Sequence, residues 1–274
     1  MSGRLSLVAV PLGNADDITI RALRTLSSAA IVAAEDTRTT GTLLAHHRVT
    51  ARLISFHDHN EAERVPELLA HLIAGEPVAV VSEAGTPLVN DPGFRLVRAA
   101  VEAGIVVEVL PGPCAAVAAL VGSALPVDRW MYAGFFPRSS GDRARMADEL
   151  GGVATTLVFY ESPVRLPDTL DWLAATWPDR AICVARNMTK PYEQWIRGTP
   201  AEARAVLGDE TRGEVVVVIG PPVERPLSED PAALIERLLA RGMDARATRD
   251  AVAEAAGISK KEAYRLVLSA LGRG

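Results

Sequence analysis

Short apolar runs recur through the first 125 residues, at 5–10, 31–34, 52–54, 78–81 and 106–110. They are rich in β-branched residues and bounded by Gly, Pro, Asp and Asn, as buried strands are. Between them, 18–28, 39–47, 62–74 and 94–103 place apolar residues one helical turn apart, as in Ile18, Ala22 and Leu26. Strand alternating with helix implies a parallel sheet with helices on its faces.

The pattern breaks near Leu125-Pro126-Val127-Asp128 and resumes. Segments 130–135, 156–160, 181–185 and 215–219 read as strands, with helices at 143–150, 166–176 and 201–207. Residues 192–197 read as an added strand, ended by Gly198-Thr199-Pro200. A proline- and charge-rich stretch from Pro221-Pro222 to Asp230-Pro231 reads as a linker. Helices follow at 232–240, 247–255 and 260–271; Gly257-Ile258-Ser259 separates the last two, with Ser259 as N-cap. A helical hairpin is the expected form there, a nucleic-acid reader the alternative. The chain is therefore expected to be α/β, with domains 1–126 and 127–220 and a helical region 221–274.

Composition narrows the function classes. Among 274 residues, 49% are hydrophobic and 5% aromatic, so cores of Ala, Val and Leu are expected. No run of about 18 apolar residues exists, which argues against a membrane-spanning helix. The apolar run after Met1-Ser2-Gly3-Arg4 is too short for a signal peptide, and Cys114 and Cys183 suggest no disulfide framework, so a cytoplasmic protein is expected. The net charge of −5 counts against nucleic acid as a partner. Residues 221–274 carry nine basic and eight acidic side chains, which leaves −6 on the rest, so any basic surface must be local.

The most informative segment is Ser82-Glu83-Ala84-Gly85-Thr86-Pro87, where a buried strand ends in small, turn-forming residues. Ligands of parallel sheets bind beyond the carboxyl ends of strands, and Ala84 and Gly85 let backbone amides approach one closely. Asp91 and Pro92 read as the N-cap and first residue of the next helix. Pro11-Leu12-Gly13-Asn14 and Pro111-Gly112-Pro113-Cys114-Ala115 end two more strands on the same side. No G-x-G-x-x-G and no G-K-[ST] occurs, against NAD enzymes and P-loop NTPases. Asp36 and Arg38, in Glu35-Asp36-Thr37-Arg38, suit either a substrate hydroxyl or plain helix capping. His57-Asp58-His59 lacks a convincing third ligand, so no metal is expected. Tyr160-Glu161-Ser162-Pro163-Val164-Arg165 and Asn187-Met188-Thr189-Lys190 end strands of the second region with polar groups. The loop 134–145 carries Arg138, Arg143 and Arg145, a pattern suited to phosphate contacts or to a solvated surface.

Taken in order, Pro11-Leu12-Gly13-Asn14, Ala34-Glu35-Asp36-Thr37-Arg38, Ser55-Phe56-His57, Ala84-Gly85-Thr86-Pro87, Asp91-Pro92-Gly93, Pro111-Gly112-Pro113, Phe159-Tyr160-Glu161-Ser162-Pro163 and Thr189-Lys190 carry a resemblance. From about residue 5 to 219 the chain resembles the bacterial 16S rRNA (cytidine-2′-O)-methyltransferases of the tetrapyrrole-methylase superfamily. The resemblance implies two α/β domains with S-adenosylmethionine in the cleft between them, and a homodimer. It implies methyl transfer to the ribose 2′-oxygen of cytidine 1402 in 16S rRNA of the small ribosomal subunit. Carried over by motif, the cofactor contacts are Leu12, Gly13, Ser82, Glu83, Ala84, Gly85, Thr86, Leu88, Cys114, Ala115, Tyr160 and Glu161. Four places depart from the family pattern: Glu83 for Asp, Ser139-Ser140 for basic residues, Val164 for His and Asn187 for Glu.

A ribose hydroxyl is a weak nucleophile and benefits from a base. Asp36, Glu161 and Glu83 are the candidate proton acceptors, with Lys190 or Arg38 placed for phosphate or a developing alkoxide. Arg38, Arg138, Arg143 and Arg165 are the candidate substrate contacts. Two other readings stand beside this one: a methyltransferase of small molecules such as corrin precursors, favoured by the negative charge, and a non-catalytic ribosome-binding protein that retains the fold.

Overall fold

The computed structural model describes residues 3–208, 210–223, 230–256 and 258–272. The first region runs β1 (Arg4–Val8), α1 (Ile20–Ser28), β2 (Ile31–Ala34), α2 (Thr37–His46), β3 (Leu53–Ser55), α3 (Glu61–Ile73), β4 (Val78–Val81), α4 (Phe94–Glu102) and β5 (Val106–Leu110). Its strands form one parallel sheet in the order β3-β2-β4-β1-β5. Side-chain alternation sorts the apolar runs between two cores. Leu5, Leu7, Val78 and Val80 pack with Leu68 and Leu72 of α3 and Leu96 of α4. Val8, Val32, Ala79 and Val81 pack with Ala22 and Leu26 of α1 and Leu44 of α2. Burial on both faces is why these strands read as continuous apolar runs.

β1 and β4 are neighbours whose onward connections run in opposite directions, β1 toward β2 and β4 toward β5. A crevice opens at such a switch point, outside the carboxyl ends of the strands.

The chain continues through α5 (Ala115–Gly122), β6 (Trp130–Phe135), α6 (Ser140–Leu150), β7 (Thr156–Glu161), α7 (Leu166–Thr176), β8 (Ile182–Arg186), β9 (Gln194–Gly198), α8 (Pro200–Leu207) and β10 (Val215–Ile219). The second sheet has the order β6-β7-β10-β8-β9; only its β6–β7 pair is parallel. Leu157, Phe159, Val184 and Val217 face α6, α7 and α8. The opposite face takes α5, whose Ala116, Ala119 and Leu120 pack on Val158, Cys183, Val216 and Val218. α5 follows the first sheet in the chain yet packs on the second.

Local chemistry accounts for the helix starts. Thr19 caps α1, Asp36 caps α2, Ser139 caps α6, and Thr199 with Glu202 forms a capping box on α8. Asp91 does not cap α4 as expected. That helix starts at Phe94 behind Gly93 (φ 131), and Glu61 Oε1 accepts the Gly93 N–H at 2.9 Å.

Contacts divide the chain into one unit ending at Pro222 and a second beginning at Val223. The second holds α9 (Pro231–Ala240), α10 (Ala245–Ala256) and α11 (Lys260–Ala270) around Leu234, Ile235, Val252, Ala253, Ala263 and Val267. Ser259 caps α11, as its position suggests. Gly257 and residues 224–229 of the expected linker lie outside the described residues. Among the described residues, no helix is long and apolar enough to cross a membrane.

Candidate active site

A cavity of about 450 Å³ lies at the carboxyl ends of β1, β4 and β5, with β6, β7 and β10 contributing the facing wall. From the first sheet come Leu12, Glu35, Glu83, Ala84, Gly85, Thr86, Val89, Asp91, Cys114 and Ala115; from the second, Phe135, Tyr160, Glu161, Ser162, Pro163, Met188, Gly213, Glu214, Val215 and Val216. Its size suits a ligand of drug-like mass. Among the described residues, no Lys, Arg or His lines it.

The turn after β4 is held by its own backbone. Val10 and Gly85 exchange hydrogen bonds of 2.8 and 3.0 Å, and the Thr86 hydroxyl donates to Pro113 O at 2.8 Å. These bonds lock together the ends of β1, β4 and β5. Gly85 sits at φ +75, and a Cβ there would meet Leu12 Cδ2 at 3.1 Å.

Each carboxylate at the cavity has a distinct environment. Glu161 is buried and fully engaged: Ser162 N–H donates to Oε1 at 2.5 Å, Thr169 Oγ1 to Oε2 at 2.6 Å, and Arg165 pairs with it at 2.5 Å. Glu214 pairs with Lys190 at 2.6 Å. Glu35 Oε2 accepts the Glu83 N–H at 3.1 Å. Asp91, half-buried beside Ser82, has its carboxyl pushed up to about 7. Burial is the largest cause and the charge of Glu35 the next; the Ser82 hydrogen bond opposes them, and Asp58 and Glu83 add to the rise. Burial also raises the Tyr132 phenol and pushes Tyr160 up to about 12. Both phenols therefore remain neutral at ordinary pH.

Two contacts tie the sheets together beside the cavity. Tyr132 OH donates to Asn90 Oδ1 at 2.6 Å. Asn14 N–H donates to Thr189 Oγ1 at 3.0 Å, while the Lys190 stem lies so close to Gly13 that a Cβ there would sit 2.4 Å from Lys190 Cγ.

Residues 4–204 match the family model of the Tetrapyrrole (Corrin/Porphyrin) Methylases. The chain belongs to that family. Its relatives include Ribosomal RNA small subunit methyltransferase I of Micromonospora olivasterospora, 44% identical over 277 residues that cover 99% of this chain and 88% of that one. The protein of the same name from Escherichia coli O157:H7 is 44% identical over 278 residues, covering 98% and 96%. The chain is thus a methyltransferase of the ribosomal RNA small subunit methyltransferase I family. Solved structures with the same fold include uroporphyrin-III-C-methyltransferase from Thermus thermophilus (TM-score 0.56, 24% identity, 80% of this chain and 94% of that one). Diphthine synthase aligns with TM-score 0.63 at 13% identity, covering 80% and 90%.

The methylase cavity gathers most of the cofactor contacts expected from the motifs: Leu12, Glu83, Ala84, Gly85, Thr86, Cys114, Ala115, Tyr160 and Glu161. Ser82 is buried just behind the turn. Gly13 lies under Lys190 rather than in the lining, and Leu88 (φ 71) packs inward on the first core beside Gly93.

Several expected roles do not fit the side-chain positions. Asp36 lies outside the lining and caps α2, its carboxylate held by the Arg38 and Thr39 amides and the Arg38 guanidinium. The Arg38 hydrogen bonds are the main cause that brings it down to about 2. Arg143 is buried, pairing with Asp168 at 2.7 Å and donating to Pro137 O, which removes it from phosphate contact. Arg165 is spent on Glu161 and Phe136 O. Lys190 is spent on Glu214. Arg38 and Arg138 remain exposed.

The departures from the family pattern have local accounts. Ser139 caps α6, Val164 is exposed, and Asn187 Oδ1 accepts the Glu214 N–H at 3.2 Å, fastening the loop that brings Gly213 and Glu214 to the cavity. Asp91 is the site residue that sequence reasoning missed. Its Asp-Pro-Gly context imitates a helix start, and nothing local shows that Asp91 lines the cavity.

Proposed function

We propose that this methyltransferase transfers a methyl group from S-adenosylmethionine to the ribose 2′-oxygen of cytidine 1402 in 16S rRNA of the small ribosomal subunit. The observation that carries the reading is the cavity itself. It sits at the switch point of a methylase sheet, is lined by carboxylates and, among the described residues, by no basic side chain, and so favours a cationic ligand. A sulfonium with an attached amino acid and nucleoside fits that chemistry. The backbone turn at Ala84, Gly85 and Thr86 and the apolar wall of Leu12, Cys114, Ala115, Met188 and Val216 would hold the nucleoside part. When bound, S-adenosylmethionine supplies an electrophilic methyl group; the protein's contribution is positioning and electrostatics. Buried Glu161, neutralised by Arg165, would act as a rigid strut beneath the facing wall rather than as an acceptor. Exposed Arg38 and Arg138 are the candidate phosphate contacts.

A homodimer in the cytoplasm completes the reading. β5 and β6 are sheet edges that expose Val106, Val109, Trp130 and Met131, and α5 exposes Val117 and Val121. A second copy covering these apolar side chains would account for a helix that is apolar all round yet packed on one side.

The test is incubation of the protein and labelled S-adenosylmethionine with small subunits that lack the modification. Label in an alkali-resistant dinucleotide from position 1402 is expected, because 2′-O-methylation blocks hydrolysis there. Label in another nucleotide, or transfer to a tetrapyrrole instead, would overturn the reading. Binding of S-adenosylmethionine without any transfer would favour a non-catalytic ribosome-binding protein.

A further inference from the structure

We propose that Asp91 is the catalytic base that takes the proton from the attacking ribose hydroxyl. The proposal rests on the methyl-transfer reading above. In the step, the 2′-oxygen forms a bond to the methyl carbon and the methyl–sulfur bond breaks, its electron pair staying on sulfur, which leaves as a neutral thioether. The hydroxyl proton passes to a carboxylate oxygen of Asp91, so charge and atoms balance.

The geometry points to Asp91 by what surrounds each carboxylate at the cavity. Glu161 is saturated by Ser162, Thr169 and Arg165, and Glu214 is paired with Lys190. Glu35 receives the Glu83 amide, and Glu83 is exposed. Asp91 combines a half-buried position in the lining, beside Ser82, with no cation paired to it among the described residues. It sits in a loop of unusual backbone: Leu88 (φ 71) and Asn90 (φ 69) adopt left-handed conformations that L-residues rarely hold, followed by Gly93 (φ 131). Such conformations persist where surrounding structure imposes them, and they cluster at functional sites. Here the Asn90–Tyr132 bond ties the loop across to β6.

The electrostatic surroundings suit a base at neutral pH. Asp91 is faced by Glu35 after β2, Asp58 after β3, Glu83 after β4, and the tyrosines of β6 and β7, Tyr132 and Tyr160. Burial and the neighbouring carboxylates bring it to about 7, near the optimum for proton transfer at working pH. The Ser82 hydrogen bond opposes this rise.

The experiment compares wild type, Asp91→Asn, Glu35→Gln and Ser82→Ala in single-turnover methyl transfer to small subunits across pH. S-adenosylhomocysteine binding is measured alongside by calorimetry. The wild-type rate is expected to rise with pH through an inflection near 7. Asp91→Asn is expected to bind S-adenosylhomocysteine as wild type does and to lose about 10²-fold or more in rate. Glu35→Gln should move the inflection to lower pH and Ser82→Ala to higher pH, shifts that a purely structural role would not produce. An unimpaired Asp91→Asn in the presence of an active wild type overturns this proposal alone. So does loss of S-adenosylhomocysteine binding in step with rate, which would make Asp91 a ligand anchor. If Asp91→Asn fails to fold, an inflection that stays put in both Glu35→Gln and Ser82→Ala overturns it. A wild type that labels no small subunits overturns the substrate reading and this proposal together.

Discussion

The Tyr132 hydroxyl donates a 2.6 Å hydrogen bond to Asn90 Oδ1, joining β6 of the second sheet to the loop after β4 of the first. Asn90 holds a φ of 69, which Asn tolerates better than most residues. Asn90→Gly should lose the bond alone, at about 1 kcal/mol. Asn90→Ala should lose the bond and also the local side-chain hydrogen bonding that lets Asn tolerate this φ, a further cost of roughly 1 kcal/mol because Ala keeps a Cβ in the left-handed region. Urea midpoints should therefore fall in the order wild type, Gly, Ala. The reverse order for the two variants would show that the backbone conformation is not imposed.

Gly85→Ala should weaken cofactor binding more than folding. The added Cβ would press on Leu12 Cδ2 at 3.1 Å inside the lining, at a residue with φ +75. A strain of about 1–2 kcal/mol is expected, enough to lower affinity roughly tenfold if relieved by shifting Leu12. Calorimetric titration with S-adenosylhomocysteine measures it; an unchanged Kd would remove the turn from the binding site.

Arg165→Met should destabilise the protein more than Glu161→Gln. The first strands a carboxylate whose side chain is 0% exposed, whereas the second leaves a guanidinium that is 24% exposed and can hydrate. Breaking a buried pair by removing one partner costs about 3–5 kcal/mol, and Arg165→Met should approach that range. Equal denaturant midpoints for the two variants would contradict the asymmetry.

Asp91 makes stability depend on pH in a calculable direction. Its folded pKa of about 7 lies above the ordinary 3.8, so the folded state keeps a proton that the unfolded chain releases. Its contribution is fully present below about 4 and is lost as pH rises through about 7. Asp91→Asn should therefore raise Tm relative to wild type at pH 8, with the gain shrinking toward pH 4. A constant difference across this range would mean that the group titrates elsewhere.

Val121→Asp should shift the protein toward monomer. Val121 is 72% exposed on α5, a helix with an apolar outer face. A charge buried there on association would be costly, so sedimentation should show the loss of any dimer. An unaltered dimer would place the interface elsewhere.

Periodicity alone determined the strand–helix alternation of the first sheet. Its central strands β1, β2 and β4 are buried on both faces, which forces continuous apolar runs, and its turns need Gly, Pro and Asn at strand ends. The convergence of Leu12, Gly85 and Ala115 on one cavity was legible for the same reason: strands in a parallel sheet share a carboxyl end. α5 was harder to place, because its apolar residues show no one-sided period and its packing partner is a sheet that comes later in the chain. The mixed second sheet also needed the tertiary structure, since β10 pairs antiparallel with β7 and β8, strands remote in sequence. The decisive differences concern charge. Asp36, Asp91 and Glu161 are all carboxylates after strands, and composition cannot tell them apart. Folding sets Arg38 against the first, burial and Glu35 against the second, and Thr169 with Arg165 against the third. The state of a carboxylate is decided by its dielectric surroundings and its neighbours within a few ångströms. For Asp36 these are the cap residues Arg38 and Thr39, close in sequence, whereas the burial of Asp91, its approach to Glu35 and the Glu161–Thr169 contact come only with the tertiary structure.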